Sequence, residues 1–400
     1  MELGLTGPYR ATTACLAATC ALLPAYVVRW HLAFYPTTLL EAAVLVTAAV
    51  FLVESWNLRR WPSWRSPFLV PAALFLLAGL ISVVDAPSVR AAAGLYRAYV
   101  VEPLALFVIT TNVVDRLWRA RLLLAGLGLG GLAVGLANFV VVVDAGLHHT
   151  LNVAVAPPVV IYNTLNAVAL FLLPLVSVAG AVILHGEERW ERVAAAIFVL
   201  VALVSIVASF SRGGYLALTV VALLLALSHP ARRWLVPALV LAGLALLLIP
   251  PVRGRLSHEI DLADPNNSLE ERIRLWKATL RMLGDHPILG TGMSGFSARM
   301  APYGGDQGVI YPHDILLNFW TETGLLGIVA FAWIILAGLR TAWRGWRSSR
   351  GAWRAYQLGV ALALVAVLVH GLVDVPYWKN DLSAEFWILL GVSWSGARAF

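Results

Sequence analysis

The sequence IVASFSRGGYLALTVV, residues 206–221, places one arginine, Arg212, between two apolar runs. Each run belongs to a longer apolar segment, and such segments of roughly 17–25 residues recur from Thr12 to the C-terminus. A helix of that length crosses about 30 Å of hydrocarbon. Arg212 therefore stands between two predicted membrane helices, where a permanent charge requires either a functional partner or a route to water.

The composition supports this interpretation over the whole chain. Hydrophobic residues make up 60%, charged residues only 13%, and the mean hydropathy is +0.80, outside the range of soluble globular proteins. We therefore predict an all-α integral membrane protein, a single polytopic domain over residues 1–400 with about twelve transmembrane helices. The predicted spans are 10–28, 37–54, 67–84, 96–113, 121–143, 165–185, 193–210, 213–229, 234–250, 314–339, 356–373 and 384–399. One long loop, residues 251–314, separates the ninth span from the tenth.

The basic residues predict the orientation. Most of the 29 Lys and Arg residues fall in alternate short loops, such as residues 57–65 and 340–354. Positive loops face the cytoplasm, so both termini are predicted to be cytoplasmic and loop 251–314 to lie on the outer, periplasmic side. The net charge of +7 then reflects topology, and no clustered basic domain indicates nucleic-acid binding. Cys15 and Cys20, five residues apart in the first span, have neither zinc-site nor disulfide-framework spacing.

Within the outer loop, NSLEERIRLWKATLRMLGDHP (267–287) predicts an amphipathic helix over about 268–284. Ser268 and Glu271 have the spacing of a helix capping box. Arg274 belongs to a cationic stripe, whereas Arg272 lies at the edge of the apolar face, where a guanidinium requires an anion. The predicted apolar face consists of Leu269, Ile273, Trp276, Leu280 and Leu283. An alternative is a helix that rests on the outer membrane surface with its cations towards lipid phosphates.

The next motif, GTGMSG (290–295), has the spacing of a dinucleotide-binding loop. That function requires a strand before the motif and a helix after it, in a parallel sheet. Here the motif follows a capped helix and a proline in an outer loop. We therefore predict a turn with close backbone approach.

The loop ends at His313 and Asp314, where the tenth predicted helix begins. Histidine exchanges protons near neutral pH, and an aspartate at a helix start favours the N-terminal cap. Arg212, Arg272 and His313 fall on one predicted outer face. Two guanidiniums can bind a diphosphate without a metal, and the histidine can accept a proton from an attacking hydroxyl. We predict no cofactor and no metal, although Asp261, Asp264 and Asp306 leave a metal site open.

Three stretches now resemble one family: SFSRGGYLAL (209–218), ERIRLWKATLRMLGDHPILGTGMSGF (271–296) and HDILLNFWTETGLLGIVAF (313–331). A weaker fourth, IYNTLNAVALFLLPL (161–175), places Asn166 at a helix start. In this order, around one large outer loop, they are similar to the O-antigen ligase and O-antigen polymerase superfamily of bacterial membrane glycosyltransferases. The resemblance implies a GT-C-related, metal-independent, inverting enzyme in the bacterial inner membrane. It also implies an undecaprenyl-diphosphate-linked glycan donor and a lipid or glycan acceptor.

By this resemblance, Arg212 and Arg272 hold the donor diphosphate and His313 activates the acceptor hydroxyl. Arg274, Asn166 and Asp314 complete the predicted substrate-binding set. The family commonly has asparagine where this chain has Asp314. An extra negative charge there can weaken donor binding or raise the basicity of His313.

Three functions remain open from the sequence. A ligase moves a finished glycan to an acceptor, and a polymerase joins lipid-linked repeat units. A lipid or solute transporter is the alternative from another class, which predicts ionisable residues at mid-membrane depth and interrupted half-repeats. Glu41, Glu102 and Asp374 lie near predicted span ends, and no such repeat is evident, so we favour the ligase-like glycosyltransferase.

Overall fold

The computed structural model describes residues 7–33, 35–148, 150, 161, 162, 164, 166–250, 252–254, 268–304 and 308–399. Long apolar helices joined by short links dominate this part of the chain. The main helices are α1 (Arg10–Ala21), α2 (Leu39–Asn57), α3 (Leu69–Asp85), α4 (Val89–Val113), α5 (Leu117–Leu147), α6 (Asn166–His185), α7 (Arg189–Ala208), α8 (Arg212–Ser228), α9 (Arg232–Leu246), α10 (Ser268–Asp285), α11 (Phe296–Arg299), α12 (Ile315–Ser348), α13 (Gly351–Gly371) and α14 (Asn380–Ala397).

Each of the twelve predicted membrane spans overlaps one of these helices. Among the described residues, seven helices are long and apolar enough to cross a membrane by length and composition, namely α2, α4, α5, α6, α7, α12 and α13. Helices α3 and α8 are apolar but shorter. The protein is therefore a nearly all-helical membrane protein, and the count of twelve crossings stays a prediction.

The helices differ sharply in how much of their surface the protein covers. In α6 and α13, 78% and 72% of the most apolar window is buried, so this pair lies at the centre of the bundle. Helix α9 has no buried side chain at all, and its Trp234 and Leu241 are 70% and 66% exposed. Apolar side chains on the outside of a bundle are typical of a lipid-facing surface.

The prediction of an all-α chain is wrong at one place. Residues Arg29–Leu32 and Tyr35–Thr38 form an antiparallel hairpin of two strands, β1 and β2. Helix α1 stops before the 3₁₀ turn Leu23–Val27, which contains Pro24, and the aromatic and β-branched residues that follow favour extended backbone. Thr37 donates a 3.0 Å hydrogen bond from its Oγ1 to the Glu41 carboxylate, which fastens the hairpin to the start of α2.

The segment after α10 is held against α12 by backbone contacts. The Leu325 N–H donates to the Ile288 carbonyl at 2.8 Å, and Gly324 adopts a φ of 67° that breaks α12 at this point. A Cβ on Gly290 would lie 2.3 Å from the Trp320 carbonyl oxygen, and Gly290 also has a positive φ of 71°. The predicted turn with close backbone approach is therefore confirmed.

The close contact of α13 with α6 at Gly359 gives a stability prediction. A Cβ at this residue would lie 2.6 Å from the Val178 Cα, so Gly359→Leu must push the two helices apart. We expect the free energy of unfolding to fall by about 1–3 kcal/mol, measured by denaturant titration in detergent micelles. Gly243→Leu is the matched control, since nothing lies within 4 Å of a Cβ there. Equal stability of the two variants would contradict this packing.

Candidate active site

The link between α13 and α14, residues 372–379, is fixed by an aromatic cluster. The Tyr377 hydroxyl donates to the Tyr99 carbonyl at 2.9 Å and accepts from the Trp387 indole N–H at 3.0 Å. The Phe319 ring lies 5.2 Å from the Trp378 ring, centroid to centroid. Because these groups come from α4, α12 and α14, the link has one defined position against the bundle.

This link presents Asp374, a carboxylate that is only 3% exposed. The Asn166 amide, 208 residues away in the sequence, donates to its Oδ2 at 2.5 Å. The Val375 backbone N–H donates to its Oδ1 at 2.8 Å, and the His313 Nδ1 lies 3.6 Å from the same oxygen. The 3.6 Å separation is longer than a direct hydrogen bond, so this contact is electrostatic.

The surroundings of Asp374 keep its carboxyl group ionised. Burial raises the pKa of Asp374, but the imidazole of His313, the nearby His370 and the Val375 N–H lower it by more, so the net pKa lies below the ordinary value. A buried anion of this kind favours positive charge on whatever faces it. It is thus suited to hold a histidine that gains a proton during a reaction.

His313 has an unusual backbone conformation, with a φ of 52°. A left-handed residue that is not glycine costs free energy and persists only where its surroundings hold it. The Tyr311 ring packs edge-on against the His313 ring at 4.9 Å, and the Pro312 carbonyl accepts a 3.0 Å hydrogen bond from the Trp276 indole N–H. Helix α10 and His313 are therefore positioned together.

The buried face of α10 differs from the predicted one. Leu275 and Met282 are buried and pack in a small core with Phe296 and Met300. Of the predicted apolar face, Leu283 is buried, whereas Leu269, Ile273 and Leu280 are 36–52% exposed. The buried face is rotated by roughly a third of a turn, because the apolar partners of α10 come from the segment that follows it.

Arg272 lies at the border of the observed buried face, as it does at the edge of the predicted one. Burial lowers the pKa of the Arg272 guanidinium, while the negative charges of Asp374 and Glu271 raise it. Arginine stays charged in any case. Arg272 also acts electrostatically on His370, so its cation lies in the neighbourhood of both His370 and Asp374.

Arg212 is the first residue of α8, where the sequence had placed it in a link between helices. The Ser211 hydroxyl caps this helix by accepting from the Gly214 N–H at 3.2 Å. A Cβ on Gly213 would lie 2.8 Å from the His370 Cδ2 and 2.7 Å from a Val373 methyl group. The start of α8 thus packs directly against the segment that leads to Asp374.

The other predicted site residues take different positions. The amide of Asn166 is bound to Asp374, and the side chain of Arg274 is exposed on α10. The Asp314 carboxylate caps α12 by accepting from the Leu317 N–H at 2.8 Å. Burial raises the pKa of Asp314, and the backbone N–H groups at the helix start lower it by less. Asp314 therefore serves its own helix start.

The sequence analysis missed Asp374 as a site residue and treated it only as a polar residue at a span end. The available signal was HGLVDVPYWKND (370–381), a polar stretch in a short link after a buried helix. Among the described residues, no group of His, Cys, Asp and Glu is arranged to hold a metal ion. Asp261, Asp264 and Asp306 lie outside the described residues.

The lowered pKa of Asp374 predicts a pH dependence of stability. As the pH falls, Asp374 binds a proton near its ordinary pKa of 3.8 in the unfolded chain. In the folded chain it binds the proton only at a lower pH. The stabilisation is therefore present above that value and is lost as the pH falls through the lower folded pKa. Asp374→Asn should flatten the acid limb of a plot of thermal stability against pH below about pH 4. An acid limb parallel to that of the unsubstituted protein would argue against this carboxylate as its source.

The comparisons with known proteins fit this arrangement. Residues 196–332 match the family model described as O-antigen ligase, and this range includes Arg212, Arg272 and His313. A search of curated proteins finds no match to the chain. Asn166 and Asp374 lie outside the matched range. Residues 196–332 are therefore similar to the O-antigen ligase family, which supports the superfamily that the sequence motifs indicate.

Proposed function

We propose that this protein transfers a glycan from undecaprenyl diphosphate to an acceptor hydroxyl, in the manner of an O-antigen ligase. The observation that carries the proposal is the grouping of Arg272 and His313 around Asp374, beside the helix start that holds Arg212. These residues supply two cations for a diphosphate and one base for a hydroxyl. A transporter has no requirement for this combination.

In the proposed reaction, the acceptor oxygen attacks the anomeric carbon of the first sugar from the face opposite the diphosphate. A new carbon–oxygen bond forms, the bond from carbon to the diphosphate oxygen breaks, and undecaprenyl diphosphate leaves with the electron pair. The configuration at the anomeric carbon inverts. The acceptor proton passes to His313 as the bond forms.

Asp374 is assigned the role of positioning residue for His313. Its carboxylate lies on the Nδ1 side of the imidazole, at 3.6 Å, so we assign Nε2 to the acceptor proton. The buried negative charge stabilises the imidazolium that forms. Asn166 acts on His313 indirectly, because its amide donates a hydrogen bond that fixes the Asp374 carboxylate.

The diphosphate is assigned to Arg212 and Arg272. A guanidinium matches two phosphate oxygens at once and keeps its charge when it is partly buried. Negative charge builds up on the leaving diphosphate, so the same cations stabilise the transition state. Arg274 is exposed on α10, and we assign it a weaker role in attracting the anionic donor. Asp314 caps α12, the helix that begins just after His313, and so stabilises the start of that helix.

The proposed setting is the inner membrane of a bacterium, with the site on the periplasmic side and both termini in the cytoplasm. The distribution of Lys and Arg among the loops supports this orientation. A polymerase would use the same base and the same cations, with a second lipid-linked glycan as acceptor.

Substitutions separate the assigned roles. We expect Arg272→Gln and Arg212→Gln to raise the donor Kd by about 10–100-fold, since each removes a charged hydrogen-bond donor worth about 1.5–3 kcal/mol. His313→Gln should leave the donor Kd nearly unchanged and reduce turnover by about 10²–10⁴-fold. The readouts are donor binding in nanodiscs and product formation by mass spectrometry.

Arg281→Gln is the matched control, because Arg281 is exposed on the same helix and its guanidinium bonds only to the Lys277 carbonyl in the contacts described. It should leave both the donor Kd and the turnover as they are. If Arg272→Gln and Arg281→Gln have the same effect, the diphosphate role of Arg272 is wrong.

The acceptor requirement distinguishes ligase from polymerase. Purified protein in liposomes is given the lipid-linked glycan alone, and then with a candidate acceptor such as a lipid A core. We expect product only in the second reaction. Longer lipid-linked chains in the first would establish the polymerase. No product in either, from folded protein and several donors, would contradict glycan transfer.

A further inference from the structure

A cavity of about 370 Å³ lies next to His313 and is not used by the roles assigned above. Its walls come from the start of the hairpin region, α4, α12 and the link between α13 and α14. The wall residues on which the inference rests are Tyr26, Tyr99, Tyr311, Asn318, Trp378 and Lys379. The volume falls in the range of sites for small organic ligands, about 300–1,000 Å³.

Two contacts connect this cavity to the reacting groups. Tyr311, which lines the cavity, also packs its ring on His313 at 4.9 Å. The amine of Lys379, on another wall, interacts electrostatically with the negative charge of Asp374. His313 itself does not line the cavity, so a ligand there reaches the base through the Tyr311 ring, at a position that a sugar near the bond that breaks or forms can occupy.

The chemistry of the walls matches a carbohydrate. Three tyrosines and one tryptophan offer aromatic rings, and sugars present flat C–H faces that pack against such rings. The tyrosine hydroxyls, the Asn318 amide and the Lys379 amine offer hydrogen-bond partners for sugar hydroxyls. Aromatic rings with a polar end suit a ligand that is itself apolar on its faces and polar at its rim.

Two buried polar atoms in the walls lack a hydrogen-bond partner within the part of the chain that the structure describes. They are the Asn318 Oδ1, on a side chain 1% exposed, and the Trp378 Nε1, on a side chain 8% exposed. Buried polar atoms without partners cost free energy. One accepts and the other donates a hydrogen bond, so a sugar hydroxyl can pair with either atom once a small rotation of the side chain turns that atom towards the cavity.

The balance of charge separates this cavity from a phosphate site. Arg29 and Lys379 line it, but so does the carboxylate of Glu322. The Lys379 amine also faces the Tyr162 ring at 5.6 Å and the negative charge of Asp381. The walls are therefore mixed in charge and rich in aromatic rings, whereas a diphosphate favours a surface with only cations.

We propose that this cavity is a carbohydrate subsite that holds the sugar next to the transferred bond, with Trp378 and Asn318 as binding residues. The inference rests on the proposed glycan transfer. That sugar has two possible sources, namely the first sugar of the donor glycan and the terminal sugar of the acceptor. Both have the same chemistry, so the two sources are distinguished by experiment.

The test uses Trp378→Phe, which keeps an aromatic ring and removes the N–H, and Asn318→Leu, which keeps the approximate shape and removes the amide. Trp343→Phe is the matched control, because Trp343 is a half-exposed residue near the other end of α12. In nanodiscs, each protein is titrated with undecaprenyl diphosphate alone and with the undecaprenyl-diphosphate-linked glycan extracted from bacteria that make it. The KM for the acceptor is measured in parallel.

We expect Trp378→Phe and Asn318→Leu each to weaken sugar binding by about tenfold, the loss of one hydrogen bond. A weaker affinity for the glycan-bearing lipid, with unchanged affinity for undecaprenyl diphosphate, identifies the donor sugar. A higher acceptor KM with unchanged donor affinity identifies the acceptor sugar. The subsite would be overturned if both lipid affinities and the acceptor KM stayed unchanged. It would also be overturned if the affinity for undecaprenyl diphosphate alone fell as much as that for the glycan-bearing lipid.

The unsubstituted protein separates failure of this inference from failure of the proposed function. If it transfers glycan while both variants bind and turn over as it does, only the subsite is wrong. If folded protein neither binds the lipids nor forms product, glycan transfer is wrong and the subsite falls with it.

Discussion

The candidate site depends on one buried negative charge. Asp374 is almost fully removed from solvent, and a carboxylate in that position is stable only with hydrogen bonds and positive charge around it. The chain provides them from distant places: the Asn166 amide from α6, the His313 imidazole from the segment just before α12, and Arg272 from α10. Compensation of this charge therefore brings the predicted catalytic residues together.

The rest of the bundle keeps Asp374 in its place. The aromatic cluster around Tyr377 fixes the link that carries it, and Gly213 allows α8 to pack against His370 at the same end. The segment between α10 and α12 is fastened independently, through the backbone bond from Leu325 to Ile288 and the break in α12 at Gly324. Rigid support of this kind keeps the His313 imidazole and the Asp374 carboxylate in a fixed position relative to each other.

Helix α10 has two faces, one buried in the protein and one exposed. One face packs on Phe296 and Met300 and turns Arg272 towards the site, while Leu269, Ile273 and Leu280 remain on the exposed side. An exposed apolar stripe on a helix between membrane spans can rest on the membrane surface. The two predictions for this helix are therefore compatible, since they concern different faces.

The sequence by itself determined the membrane class and the positions of the helices, and it predicted Arg212, Arg272 and His313 as site residues. Long apolar runs and charges that interrupt them are local patterns, and local patterns can be read without a fold. The sequence analysis did not predict the hairpin that begins with Arg29–Leu32, because a short extended segment between apolar helices has no periodicity of its own.

Only the tertiary structure decided which side chains meet. The bond between Asn166 and Asp374 joins residues 208 positions apart, and nothing in either neighbourhood indicates the other. The buried face of α10 was likewise set by partners outside the helix, so the apolar periodicity of α10 predicted Leu283 correctly and most of the face incorrectly. Burial and charge compensation are properties of assembled helices, and they appear only when the chain is folded.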